Sequence, residues 1–355
     1  MKSLGNFPDP FIAEIAGQPE ALRRAGSGAI EQTEALEAAA APARRGRIVL
    51  SGMGSSYDAC YPAVTALAAA GVAAVMLDAA ELLHFRLPIL RGEDLLVLVS
   101  QSGESAETVG VARAIGDAGE TPTIASITNG TANTLASLAD VALDTRAGEE
   151  TGPSTMTFVC ALAVLGALAR TIAGARAQDA AASIALEAGR AADAIDGLVA
   201  DRALPERLAA WHGGRATTVI LGRGAARAAA EMGALTIKEA AGMPVESLQA
   251  AQFRHGPLEL AGPELAAIVL ATEPETVALD RELAADLARL GAAVLLVTDG
   301  AAPGGMLSIA IGSLDRLLTP AASVVPAQLL AWRLSVATGR IPGSYVHASK
   351  VTTHE

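Results

Sequence analysis

Short apolar runs rich in branched side chains recur along this chain, each followed by a polar or glycine-rich loop and then by helical sequence. Arg47–Ser51, Val72–Asp78, Leu95–Val99, Thr123–Thr128 and Val141–Thr145 predict five strands in the first half. Leu95–Val99 is apolar at every position, which suits a strand covered on both faces of a parallel sheet. Strands alternating with helices predict an α/β fold built on a doubly wound parallel sheet. Pro153 is expected to start a long apolar helix. The run Phe158–Ala169 inside it is too short to span a bilayer and reads as a core helix.

The second half repeats the first. Gly52 and Gly54 return as Gly222 and Gly224, and Ile127-Thr128-Asn129-Gly130 returns as Val297-Thr298-Asp299-Gly300, each 170 positions later (52 to 222, 127 to 297). Two landmarks at one offset predict a tandem duplication. Residues 46–175 then form one α/β repeat and 214–340 the other, with Ala-rich linking helices over 176–213. An arm and helix over 1–45, with Pro8 and Pro10, precede them, and a tail over 341–355 follows.

Composition narrows the function classes. The 355 residues are 51% hydrophobic and 18% charged, which describes a globular chain with room for two cores. A net charge of −12 with no basic face argues against a nucleic-acid partner. Cys60 and Cys160 sit in apolar helical sequence and fit neither a disulfide framework nor a metal spacing. No charged-then-apolar signal segment opens the sequence, so a cytoplasmic protein with no membrane partner is expected.

The chemistry concentrates after the third strand, in Ser100-Gln101-Ser102-Gly103-Glu104-Ser105. Backbone N–H groups at the start of a helix lack acceptors and attract anions; hydroxyls add donors, and a glycine lets backbone approach a ligand. An ordinary helix cap needs one such residue, and Ser105 could serve. Three serines and a glutamine favour a phosphate loop. The second-half counterpart, Ala271-Thr272-Glu273-Pro274-Glu275-Thr276, carries two carboxylates that would repel a phosphate, so one anion site per chain is expected.

Rival motifs are weak. Gly52-x-Gly54-x-x-Tyr57 with Asp78 is similar to a dinucleotide fingerprint, but Tyr57 stands where close helix–sheet packing needs a third glycine. The histidines at 84, 212, 255, 347 and 354 form no metal-ligand spacing. A nucleophile elbow of the hydrolase kind is lacking as well.

Taken together, the serine loop, the duplication and several further segments resemble the sugar isomerase (SIS) domain family, and within it the amino-sugar-phosphate isomerases and deaminases, including the isomerase half of glucosamine-6-phosphate synthase. The segments are Glu14-Ile15 with Gln18 to Arg23, Gly54 to Tyr57, Ser100 to Thr108, Lys238-Glu239, Gln252 to Leu258, and the terminal Ser349 to Glu355. The resemblance implies two tandem SIS domains, no cofactor or metal, a homodimer, and a hexose 6-phosphate as small-molecule substrate. It assigns the 6-phosphate to Ser100, Gln101, Ser102 and Ser105, and a sugar contact to Ser56. Glu239 becomes the proton shuttle, His255 assists ring opening from a partner subunit, and Lys350 forms or supports an imine with the open-chain sugar.

The residues give partial support of their own. Glu239 continues an apolar helical stripe with Met232 and Leu235, a setting suited to a base. By itself His255 would read as structural. Lys350 would read as a solvated surface charge, in a polar tail that frays unless something ties it down.

The sequence departs from the family before the terminal lysine, in Ile341 to Ala348, and near Thr157, where the family usually has a lysine. With no N-terminal cysteine, glutamine-dependent synthesis is not expected. Amino-sugar-phosphate isomerisation with deamination is the expected activity. A fructosamine-6-phosphate deglycase would use the same parts. A non-catalytic phosphosugar sensor is the alternative of another class.

Overall fold

A computed structural model describes residues 10–44, 46–116, 121–300 and 306–354, so Pro8 and Glu355 lie outside the described residues. Strands β1 (Ile48–Gly52), β2 (Ala74–Asp78), β3 (Leu95–Val99), β4 (Thr123–Thr128) and β5 (Val141–Asp144) form one sheet. Strands β6 (Thr217–Gly222), β7 (Val245–Gln249), β8 (Leu265–Ala271), β9 (Ala293–Thr298) and β10 (Leu307–Ala310) form another. Every pairing is parallel. The orders are β2-β1-β3-β4-β5 and β10-β9-β8-β6-β7, the same order read from opposite edges. Leu95 and Leu265 open corresponding strands at the 170-residue offset seen in the glycines (95 to 265). The doubly wound α/β architecture is therefore present twice.

The described residues divide into two compact units. The first holds β1–β5 and comprises those of 20–150, 155–189 and 347 onward. The second holds β6–β10 and comprises those up to 19, 151–154 and 190–346. β3 is buried at all five positions and β8 at all seven, as helices on both faces of a parallel sheet require. In the first unit Val49, Leu96, Leu98, Val111, Ile115 and Leu135 share one core cluster. Val219, Leu221, Phe253, Val269, Leu283 and Leu296 do so in the second.

Local chemistry explains one departure. The apolar helix runs Met156–Ile172 and starts three residues after Pro153. Its start is set by the Glu150 carboxylate, which accepts from the backbone N–H of Thr155 at 2.8 Å and of Thr157 at 3.2 Å. An anion at a helix N-terminus satisfies donors left without intrahelical partners and complements the helix dipole.

The repeated glycines have a steric cause. A Cβ on Gly52 would lie 2.8 Å from the Val99 carbonyl oxygen, and one on Gly222 would lie 2.8 Å from that of Ala226. Only glycine lets the chain leave β1 and β6 along these paths.

His212, at the end of helix Leu204–His212, is the one buried histidine among the described residues. Its Nε2 lies 3.0 Å from the Thr218 hydroxyl, while Nδ1 has no hydrogen-bond partner. Burial, and secondarily Arg215, push its pKa below the ordinary value. The unfolded state then binds more protons once pH falls through the unfolded value of about 6.5, so stability holds above that pH and declines below it. Thermal unfolding between pH 8 and 5 should show a falling Tm on the acid side, with a shallower fall in His212→Gln. An equal slope in both proteins would locate the acid sensitivity elsewhere.

Candidate active site

Ligands of open parallel sheets bind at the carboxyl ends of the strands, where adjacent strands send their connections to opposite faces. In the first unit that point falls between β1 and β3, and the loops after these strands carry Ser56 and Ser100–Ser105.

The Ser100 loop is tightly wound. Ser100 Oγ accepts from the Gly103 N–H and lies 3.2 Å from Ser105 Oγ. Ser102 Oγ accepts from the Glu104 N–H at 3.1 Å. Gly103 adopts φ +67°, and a Cβ there would meet Asn133 Oδ1 at 2.0 Å, so no other residue fits. Asn133 Oδ1 and the Gly103 carbonyl hold the start of the next helix, Thr134–Leu138, accepting from the N–H groups of Ala136 and Leu135 respectively. Glu104, the loop's one carboxylate, takes hydrogen bonds from the Thr134 N–H and hydroxyl, which hold its pKa below the usual carboxylate range. The helix Ala106–Gly116 starts directly after Ser105, whose carbonyl accepts from Val109. The hydroxyls thus gather at a helix N-terminus with the carboxylate drawn onto Thr134.

A cleft in this unit is lined by Ser55 and Ser56 after β1, Val99 and Gln101 on and after β3, and Ile127 and Thr128 on β4. Thr145 after β5 and Thr157, Phe158 and Ala161 of the apolar helix complete it. Ser56 and Gln101, both expected at the site, share this cleft. Thr128, Thr145 and Thr157 were not singled out from sequence as lining residues. The Thr145 hydroxyl is buried without a hydrogen-bond partner. Both thiols are unsuited to nucleophilic work: Cys60 and Cys160 are buried, and desolvation pushes their pKa values up.

Lys350 belongs to the same unit. Its Nζ donates to Glu150 Oε2 at 2.8 Å; the lysine side chain is 20% exposed and that of Glu150 is 0%. Glu150 also accepts from the hydroxyls of Thr155 at 3.0 Å and Thr157 at 2.5 Å, in addition to their backbone N–H groups. A wholly desolvated carboxylate persists only when paired and hydrogen-bonded, and this one meets that condition. Thr157 therefore reaches both the cleft and the carboxylate that holds Lys350. Two residues on, the Thr352 carbonyl accepts from the Ala106 N–H at 3.1 Å, at the first turn of the helix after the serine loop.

Glu239 and His255 belong to the second unit. Glu239 is half-buried in the last turns of helix Arg227–Ala241, after buried Met232 and half-buried Leu235. A carboxylate near the C-terminus of a helix opposes the dipole, so helix stability does not account for its position. His255 follows the short helix Ala250–Phe253 and is exposed. Its flanks are fixed: Phe253 is fully buried, and Arg254 pairs with Asp286 at 2.7 Å.

The second unit's counterpart of the serine loop is closed by charge. Glu273 is buried, and burial pushes its pKa up while Arg316, 2.9 Å away, pulls it down. Arg316 also pairs with Glu275. No group of His, Cys, Asp and Glu side chains suited to a metal occurs among the described residues, and no described helix is long and apolar enough to cross a membrane.

Comparison with known proteins agrees with this architecture. The glutamine–fructose-6-phosphate aminotransferase (isomerizing) of Pyrobaculum aerophilum is 27% identical over 372 aligned positions, covering 100% of this chain and 59% of that protein. Its counterpart from Bradyrhizobium diazoefficiens is 32% identical across 74% of this chain and 44% of its own length. The chain thus spans about three fifths or less of these relatives. In fold it is similar to the C-terminal domain of glucosamine-fructose-6-phosphate aminotransferase from Francisella tularensis, with TM-score 0.80, 21% identity, and 95% and 98% of the two chains covered. It is also similar to glucosamine-6-phosphate deaminase from Thermotoga maritima, with TM-score 0.76, 19% identity, and 96% and 99% covered. The SIS domain model matches residues 43–170, which hold β1–β5, and 215–303, which hold β6–β9, and with that match the chain belongs to the SIS domain family.

Proposed function

We propose that this protein is a phosphosugar isomerase that interconverts aldose and ketose forms of an amino-hexose 6-phosphate, with ammonia released or taken up at C2. The observation that carries this reading is the serine loop: three hydroxyls and a glutamine at a helix N-terminus, beside the switch point of a parallel sheet, with Lys350 held in the same unit. Ser100, Gln101, Ser102 and Ser105 hold the 6-phosphate, and Ser56 contacts the sugar. The tail residue Lys350, 20% exposed, gives the proton of its ammonium to solvent and offers the free amine to the open-chain carbonyl; the imine forms with loss of water and acidifies the adjacent C–H. Glu239 carries that proton between C1 and C2, and His255 assists ring opening. The deglycase reading uses these groups on a fructosamine 6-phosphate. A panel of amino-sugar phosphates, assayed for both ammonia and ketose phosphate, separates the two and tests the proposal; no turnover and no binding of any member would overturn it.

Replacing Ser102 and Ser105 together by Ala should weaken binding of sugar phosphates while leaving the poor binding of unphosphorylated sugars unchanged. Each charge-assisted hydrogen bond lost costs about 1.5–3 kcal/mol. Calorimetry reads this directly, and an unchanged Kd for the phosphorylated sugar would place the anion elsewhere.

Lys350→Arg should abolish turnover and leave sugar-phosphate binding largely intact, since a guanidinium keeps the charge but cannot form an imine. Steady-state rates with calorimetry on the same variant check it. Full activity would leave Glu239 and His255 as a simple enediol isomerase.

As a homodimer in which His255 serves the neighbouring subunit, inactive Glu239→Gln and inactive His255→Ala chains should recover activity on mixing. Demonstrated subunit exchange without recovery would argue for a self-contained chain.

A further inference from the structure

We propose that Glu150 is the positioning residue for Lys350, and that with the Ala106 N–H it latches the tail onto the phosphate-loop helix. The inference deepens the reading above and rests on it for the role of Lys350.

A tail without regular structure holds one conformation only if its contacts outweigh the entropy of ordering it. Residues 347–354 are joined to distant parts of the first unit through Lys350 Nζ to Glu150 Oε2 at 2.8 Å and through the Thr352 carbonyl to the Ala106 N–H at 3.1 Å. The first is an ion pair to a carboxylate with no exposed surface. Glu150 is itself immobilised, because Oε1 accepts from the N–H and hydroxyl of Thr155 and the N–H of Thr157, while Oε2 accepts from the Thr157 hydroxyl. A charge fixed by four donors on one helix start is a rigid anchor for a flexible lysine. The second contact uses an N–H at the first position of a helix, which has no intrahelical acceptor. It therefore ties the tail to the helix that carries the serine loop at its N-terminus, and the position of Lys350 is set relative to that loop.

Protection of the Ala106 amide reports the latch without reference to catalysis. Hydrogen exchange resolved at Ala106 is measured in the parent protein, Lys350→Met, Glu150→Gln and the double variant, with amides of β3 and β8 as references. Glutamine keeps an amide oxygen toward Thr155 and the Thr157 N–H, and removes the anion facing Lys350. Each single variant should speed exchange at Ala106 about tenfold with the references unchanged, and the double variant should add little. Unchanged exchange in Lys350→Met overturns the latch. Should Glu150→Gln also speed the β3 amides, Lys350→Met decides alone, since it leaves Glu150 with its four other donors.

Positioning is read separately. With sugar phosphate, Glu150→Gln should lower kcat about tenfold with KM within about twofold. A raised KM at unchanged kcat overturns the positioning role. A fully active Lys350→Arg would overturn the imine reading while the exchange result stands, so the two failures are distinguishable.

Discussion

A parallel sheet sends the carboxyl ends of all its strands to one edge, and a crevice opens there where neighbouring strands turn to opposite faces. Everything chemical in the first unit follows from that constraint. β1 and β3 end side by side, Gly52 allows the close passage against Val99, and the loops beyond them carry Ser56 and Ser100–Ser105. The second unit repeats the strand order, and the same edge between β6 and β8 carries different chemistry. Duplication copied the scaffold, and the loops then diverged in charge.

Buried carboxylates mark that divergence. A desolvated charge must be paired and hydrogen-bonded, so each one dictates what surrounds it. Glu150 meets the need with two threonines of a helix start and the tail lysine. Glu273 meets it with Arg316 in the region corresponding to the serine loop, leaving paired charges where the first unit has hydroxyls. Glu14, in the second unit, accepts from the N–H and hydroxyl of Thr151 and from the Gly152 N–H. The first carboxylate thereby starts a helix and holds a terminus, two functions that a neutral side chain would serve less well.

Much of this was legible in the residues. Apolar runs of the right length gave β3 and β4 to the residue, and β1, β2 and β5 within two. The period of hydrophobic positions and a fixed repeat offset are properties of the chain itself, so no fold is needed to see them. The serine loop was legible for the same reason: its donors fall within six consecutive positions, and the strand before it and the helix after it fix their place. The start of the apolar helix was not, because the residue that sets it is a carboxylate five positions before Thr155, while Pro153, which reads locally as a start, stands outside the helix.

By itself, then, the sequence determined the doubly wound architecture, its duplication and the loop at the switch point, all of which depend on neighbours in the chain. Tertiary structure alone decided that Thr128, Thr145 and Thr157 line one cleft, since each comes from a different element. It alone decided that Lys350 meets Glu150, 200 positions away, in place of solvent. Such contacts are set by how strands and helices stack, and a desolvated carboxylate selects its partner by where it lies in space, which no local pattern encodes.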